Sequence, residues 1–267
     1  GTKVTNITPP EGFVHVGGTI DEGYIISDEA SDKDKGVDAN LVGNQFVWVP
    51  VEKDQKIIAK VTSGENIKSL VITDPYGDDI VTKNDIGKQY NEQIKPTING
   101  PYRIVVTTES GESEKAFLSV HSLYAYDTYR DLETTEEYVK ESGYDNLQDM
   151  LKQLKYTTEE EYLYNNRSDS ATRYIDAEDY NDKVNANGGF YVGRYEAGDS
   201  SATEERTSSS GKTGAVVTKK NQFVYNWISQ VDALEKAKAY KANLSSSLLT
   251  GAAQDRVVGW LYETKEK

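Results

Sequence analysis

The chain has 267 residues and a formal net charge of −14, and 36% of its residues are hydrophobic against 28% charged. This length suits two small domains, or one domain with a large insertion. The acidic surface that such a charge implies repels phosphate backbones, which argues against nucleic acid as a partner.

The absence of cysteine narrows the possible chemistry. Without thiols the chain has no disulfide bond, no zinc–thiolate site and no thiol nucleophile. No apolar run reaches the ~18 residues that span a bilayer, and no signal peptide is visible. The start at Gly1-Thr2-Lys3 leads us to expect that an upstream leader or anchor was removed.

Two runs of aromatic and β-branched residues, far apart in the chain, predict the central strands. They are Gln45–Val51 and Phe190–Tyr195. We predict that both belong to one domain and that everything between them is inserted. Upstream, Phe13–Val16 and Gly23–Ser27 predict a hairpin, and an acidic loop (28–38) follows it.

Short strand-like runs recur between residues 53 and 123, with turn signals rich in Gly, Pro and Asp between them. Strands at this spacing are typical of a small β-sandwich. The last two runs resemble the final hairpin of bacterial immunoglobulin-like or PKD-like domains. The predicted strands are Ile57–Thr62, Ile67–Thr73, Gln89–Ile94, Tyr102–Thr108 and Ala116–Val120.

Residues 124–180 are predicted to be helical. A first helix, capped near residue 134, ends at Gly143, and a third capping signal lies at residues 157–161. These helices either cover a sheet, or bridge two domains, or form a docking surface for a partner. The second helix follows the cap Asn146, and its apolar stripe is Leu147, Met150, Leu151 and Leu154.

The remaining part of the chain mixes loops and helices. Residues 199–214 are rich in Ser, Thr and Gly and predict a long polar loop. Asn226 is predicted to cap a helix that begins at Trp227. After a Ser-rich link, the apolar spacing of residues 249–261 predicts a last helix.

Four segments together resemble the formylglycine-generating-enzyme-like family, also called the sulfatase-modifying-factor domain. They are FVWVPV at 46–51, GGFYVGRYEAG at 188–198, Pro9–Asp28 and Ser247–Leu261. The family has a variant of the C-type lectin fold, and the last two segments are similar to members from Gram-positive bacteria. The resemblance covers residues 9–51 and 186–262.

The predicted fold class is therefore α+β. The resemblance implies a C-type-lectin-like (formylglycine-generating-enzyme-like) scaffold at residues 1–52 and 181–267, which is discontinuous. An immunoglobulin-like β-sandwich is inserted at residues 53–123, and a helical segment occupies residues 124–180.

The sequence departs from the family at the residues that carry its chemistry. Formylglycine formation relies on a cysteine pair, which this chain lacks, and a related iron site would need several histidines. Here only His15 and His121 are present, and we interpret His15 as a half-exposed strand residue. Later segments similar to GNVWEW and RGG-S…GFR are also absent, so we expect either a fragment or a fold that a partner chain completes with its own strands.

A metal site is predicted only weakly. Asp32, Asp34 and Asp38 alternate around Gly36, as in some Ca²⁺ loops. Two lysines interrupt the acidic residues and no bidentate glutamate follows, so a solvated acidic turn is the alternative interpretation. Ca²⁺ is the one cofactor that the sequence leaves open.

Candidate binding residues lie in the polar loop, because loops on one face of a lectin-like fold carry recognition. They are Asp199, Ser200, Thr203 and Arg206. Arg194 and Glu196, two residues apart on a predicted strand, are expected to form a structural ion pair. Trp48 and Tyr195 are expected in the core.

Three functions remain open at this point. The first is a non-catalytic extracellular binding or adhesion module of a bacterial or phage surface protein, with a protein or glycan ligand. The second is a structural subunit of a surface filament or pilus that self-associates by strand exchange. The third is a cysteine-less enzyme of the family. The resemblance implies an extracellular or cell-surface location on a Gram-positive bacterium.

Overall fold

The computed structural model describes residues 4–29, 43–52, 56–121, 124–127, 139–155, 177–210 and 213–265. Within these ranges the protein is a mixed α+β structure with antiparallel sheets. The first strands are β1 (Val14–Gly17), β2 (Ile25–Ser27), β3 (Gln45–Pro50), β4 (Ile57–Thr62), β5 (Ile67–Thr73), β6 (Asp79–Asn84) and β7 (Gln89–Ile94). They are followed by β8 (Gly100–Thr108), β9 (Ser113–His121), β10 (Tyr124–Asp127), β11 (Gly189–Gly193), β12 (Gly198–Asp199) and β13 (Val216–Val217). The helices are α1 (Leu147–Leu154), α2 (Ala177–Asn187), α3 (Gln230–Tyr240) and α4 (Gly251–Lys265), with a 3₁₀ turn at Ala242–Leu244.

The first sheet has the strand order β1-β2-β3-β11. The predicted hairpin is confirmed, since β1 pairs with β2 and His15 lies opposite Ile26. Strand β3 pairs with β11, with Trp48 opposite Tyr191. The two aromatic runs identified in the sequence are therefore neighbours in one sheet. Strand β11 ends at Gly193 and does not reach the predicted end at Tyr195.

Helices α3 and α4 contact the first sheet. The Tyr240 ring of α3 lies 5.6 Å from the Phe46 ring of β3. On α4, Arg256 donates from Nε to the Pro50 carbonyl oxygen at 3.0 Å, at the end of β3. These contacts fix the C-terminal helices on the sheet.

The second sheet has the order β10-β9-β8-β5-β6, and β4 and β7 form a separate pair. The predicted strands Ile57–Thr62, Ile67–Thr73 and Gln89–Ile94 are confirmed residue for residue as β4, β5 and β7. One apolar core joins the pair to the second sheet. Its fully buried members are Ala59, Ile67, Leu70 and Ile72.

Two strands of the second sheet correct the predicted elements. Residues 124–127 were expected to be helical, but they form β10, because the long strand β9 offers unpaired backbone groups along its edge. Strand β6 was not predicted at all. It is an edge strand, and only Val81 is half-buried among otherwise exposed residues, so its composition is polar.

Helix α1 begins as predicted. Asn146 caps it, since its Oδ1 accepts from the backbone N–H of Asp149 at 2.8 Å. Leu147 and Leu151 are buried and pack with Phe117 of β9, so this helix covers part of the second sheet. The turn at Gly143 is also found, with φ of +94°. The predicted cap near residue 134 and the helix after residue 157 lie outside the described residues.

Helix α3 begins later than predicted. Ser229 caps it, because its Oγ accepts from the backbone N–H of Asp232 at 3.1 Å. The predicted cap, Asn226, instead donates from Nδ2 to the Arg206 carbonyl oxygen at 2.9 Å. Of the predicted apolar residues of α4, Trp260 is buried, whereas Leu261 is exposed.

Candidate binding face

Asp199 closes the polar loop of residues 200–215. It lies on β12, which pairs with β13, and its side chain is buried. Its Oδ1 accepts from the Ser201 backbone N–H at 2.9 Å, from Ser201 Oγ at 2.7 Å and from the Gly214 backbone N–H at 2.8 Å. One carboxylate oxygen thus joins the beginning of the loop to its end.

The surroundings of Asp199 keep it ionised. Burial by itself would raise the pKa of this carboxyl. The hydrogen bonds from Ser201 and Gly214, together with the positive charge of Arg206, outweigh burial and lower the pKa below its usual range. The loop is therefore held by a charged acceptor, which makes stronger hydrogen bonds than a neutral one.

A second segment, residues 222–227, runs beside β12. The Asp199 backbone N–H donates to the Phe223 carbonyl oxygen at 3.0 Å, and the Tyr225 N–H donates to the Ala197 carbonyl oxygen at 2.8 Å. Gly198 and Val224 form an isolated antiparallel bridge. Gln222 also donates from Nε2 to the Asp199 carbonyl oxygen at 3.2 Å. The loop and this segment consequently form one surface.

Gly214 is the second point where the loop is fixed. Its carbonyl oxygen accepts from the Tyr225 hydroxyl and, at 3.2 Å, from Lys236 Nζ of α3. The Lys236 ammonium also lies 5.6 Å from the centre of the Tyr225 ring. Helix α3 and the segment 222–227 therefore hold the end of the loop together.

Three apolar side chains on this surface are exposed, and we call them the apolar patch. Phe223 is 41% exposed, Val224 47% and Trp227 58%. Trp227 has a φ of +53°, in the left-handed region that large side chains rarely adopt. Exposed large apolar side chains close together in the chain are candidates for an interaction site.

Polar atoms without partners lie beside the apolar patch. Arg206 Nη1 and Asn226 Oδ1 are buried and have no hydrogen-bond partner among the described residues. The Asn226 side chain lies next to the Arg206 backbone, because its Nδ2 donates to the Arg206 carbonyl oxygen. Buried polar atoms of folded proteins are usually hydrogen-bonded, so these two atoms are unusual.

Comparison of the chain with known protein families and with curated proteins found no match. The resemblance of residues 9–51 and 186–262 to the formylglycine-generating-enzyme-like family thus stays a prediction. None of the helices in the described ranges is both long and apolar enough to cross a membrane.

The predicted binding residues take different places in the structure. Asp199 is buried and used inside the loop, whereas Ser200 and Thr203 are exposed on it. Arg206 is half-buried, and its Nη2 donates to the Ser210 carbonyl oxygen at 3.4 Å. Of the four predicted binding residues, Ser200, Thr203 and Arg206 therefore present side-chain atoms near the surface of the loop.

Arg194 and Glu196 lie beyond the end of β11, so they do not share a strand face as predicted. Arg194 donates from Nη1 to Gln45 Oε1 at 2.8 Å, while Glu196 is exposed. No ion pair between Arg194 and Glu196 is found in the part of the chain that the structure describes. Arg194 joins β11 to β3 through Gln45.

The predicted Ca²⁺ ligands Asp32, Asp34 and Asp38 lie outside the described residues. Within the described ranges, no group of three or more His, Asp or Glu side chains is placed to hold a metal ion. His15 lies on β1, a predicted strand, but it is exposed and not half-exposed as expected, and its ring centre lies 4.0 Å from that of Tyr24. The predicted core residue Trp48 is buried.

Sequence reasoning missed the residues of the apolar patch. It assigned Trp227 to the first turn of a helix and gave Phe223 and Val224 no role. The signal was present in Gln222–Trp227, where apolar residues follow one another without a helical or a strand period. What the sequence did not reveal is that β12 pairs with this segment.

Proposed function

We propose that this chain is a non-catalytic binding module that holds its ligand on the apolar patch and the adjoining loop. The observation that supports this most is the exposure of Phe223, Val224 and Trp227 on a segment hydrogen-bonded to β12. Tryptophan and other aromatic residues dominate binding energies in protein interfaces. Arg206 and Asn226 would add directional hydrogen bonds beside them.

The hydrogen bonds at both ends of the loop also support a binding role. Asp199, Tyr225 and Lys236 fix both ends of the loop before any ligand arrives. A preorganised surface loses less conformational entropy on binding. The ligand classes that suit flat aromatic rings beside an amide and a guanidinium are glycans and proteins.

The finer fold assignment belongs to the same proposal. Residues 1–52 and 181–267 would form the lectin-like scaffold, residues 53–123 the immunoglobulin-like insertion and 124–180 a helical segment. The pairing of β3 with β11 across the intervening chain supports the first of these. An extracellular or cell-surface location on a Gram-positive bacterium is proposed from the resemblance.

The test is binding of the labelled chain to a glycan microarray and to a panel of extracellular proteins. Trp227→Ala and Phe223→Ala should each weaken the strongest signal about tenfold or more. Ile58→Ala is the matched control, because Ile58 is 63% exposed on β4, outside the patch. If the control variant reduced the binding signal as much as the patch variants do, the proposal would be contradicted.

A filament subunit is the second candidate. Strand β6 supports it, since this strand lies at the edge of the second sheet and exposes Ile80, which is 41% exposed. Unpaired edge strands are templates for pairing with another chain. Self-association that Ile80→Lys abolishes and Trp227→Ala leaves unchanged would favour this candidate.

A further inference from the structure

Arg103 of β8 is a half-buried cation that makes no ion pair with the described residues. Its Nε is buried and donates to no acceptor among the described residues. The chain has 44 Asp and Glu residues against 30 Lys and Arg, so carboxylates for pairing are plentiful. A missing partner in so acidic a chain calls for an explanation.

The strand register places Arg103 on the outer face of the second sheet. Its neighbours along β8, Ile104 and Val106, pack in the core. Side chains alternate along a strand, so Arg103 and Val105 point away from that core. Val105 lies opposite Lys115 of β9, which brings a second cation to the same face.

These residues line an open depression of about 440 Å³. Its lining consists of Arg103, Val105, Ser113, Glu114 and Lys115. A half-buried charge that lacks a counter-ion destabilises the fold, because desolvation is not compensated by an attraction. An anion that enters from solvent would supply that attraction.

We propose that the depression binds a carboxylate group. The guanidinium of Arg103 presents several N–H donors in a planar fork that matches the two carboxylate oxygens. Val105 offers apolar contact for a short carbon chain. The net charge of −14 disfavours a doubly charged phosphate or sulfate. This site is separate from the apolar patch and does not depend on the function proposed for it.

A carboxylate can come from a free small molecule or from an acidic side chain of another protein. Two probes separate these sources in NMR titrations of the ¹⁵N-labelled full chain. Butyrate represents the free acid, with neutral butyramide as its control. Acetyl-Gly-Glu-Gly-amide represents the side chain, with the Gln peptide as its control. Both titrations are run at constant ionic strength.

We expect amide shifts confined to β8 and β9, with affinity of about millimolar for the better probe. Arg103→Gln should weaken binding about tenfold or more. Lys183→Gln, which removes one positive charge from the exposed face of α2, should leave binding unchanged. Binding of butyrate indicates a free acid as the ligand, and binding of the Glu peptide alone indicates a protein partner.

Thermal unfolding without ligand provides a second readout. Because Arg103 has no partner, Arg103→Gln should leave the unfolding temperature unchanged or raise it. A lower unfolding temperature would show that the guanidinium stabilises the fold, which contradicts the proposal. The proposal would also be overturned if the acids and their amide controls caused equal amide shifts, or if no probe caused a shift. It would likewise be overturned if Arg103→Gln bound the probes as tightly as the wild type.

Discussion

At the scale of single residues, Asp199 is the group on which the candidate binding face depends. Three donors converge on its Oδ1 from the two ends of the loop. Asp199→Ala leaves these donors unmet in a buried site and should lower the free energy of unfolding by about 2 kcal/mol. Asp199→Asn retains one acceptor and should have a smaller effect. Urea unfolding of both variants measures the difference, and equal stability of Asp199→Ala and wild type would contradict the role assigned here.

The same carboxylate makes stability depend on pH. The folded-state pKa of Asp199 is lowered, so its contribution is fully present above the unfolded pKa of about 3.9. The contribution is lost as the pH falls through the lower pKa of the folded state. The stability difference between wild type and Asp199→Asn should therefore shrink as the pH falls from about 5 to below the unfolded pKa of about 3.9. A difference that stays constant over this range would show that the charge has no effect.

Gly189 is a residue that the pairing of β3 with β11 requires. Its φ is +155°, and an added β-carbon would lie 2.5 Å from both the Trp48 ring and the Val49 carbonyl oxygen. Gly189→Ala should thus destabilise the fold by about 1–3 kcal/mol. Gly64→Ala is the control, because a β-carbon there meets no atom within 4 Å. Chemical denaturation should separate the two variants, and equal midpoints would contradict the close packing.

At the scale of elements, helix α1 offers a direct test of capping. Asn146 Oδ1 accepts from the N–H of Asp149 in the first turn. Asn146→Ala should lower the free energy of unfolding by about 1 kcal/mol, whereas Asn146→Asp retains a capping oxygen and should be nearly neutral. Denaturation followed by circular dichroism measures both, and equal losses would show that the cap is not the cause.

Several elements could be predicted from the sequence because local signals determine them. Strands β4, β5 and β7 combine β-branched or aromatic residues with turn residues at both ends. Strand β6 was missed because an edge strand exposed on most sides needs no apolar alternation. Strand β10 was assigned to a helical region, since a four-residue strand depends on its partner more than on its own composition.

The candidate site was predictable only in part, for a similar reason. The polar composition of residues 199–214 marked the loop, and Arg206 proved to lie beside the apolar patch. Asn226 was predicted to cap a helix because of its residue type, but its side-chain amide donates to the Arg206 carbonyl oxygen. Contacts between segments twenty or more residues apart leave no periodic signal in a single sequence.

At the scale of the whole molecule, the net negative charge opposes self-association and the exposed apolar side chains favour it. A net charge of −14 repels a second copy of the chain. The apolar patch attracts one, because its burial removes apolar surface from water. Salt weakens the repulsion, since the screening length falls from about 30 Å at 0.01 M to about 3 Å at 1 M. Ionic strength should consequently decide whether copies associate.

We expect a monomer at low salt and weak self-association through the patch at high salt, measured by sedimentation equilibrium. The double variant Phe223→Ser and Trp227→Ser should stay monomeric throughout, because it removes the two aromatic side chains of the patch. Ile58→Ser, at a position 63% exposed outside the patch, should behave as wild type. If the wild type and the double variant associated equally at every salt concentration, strand edges and not the patch would join the copies. In that case the filament subunit would replace the binding module as the favoured function.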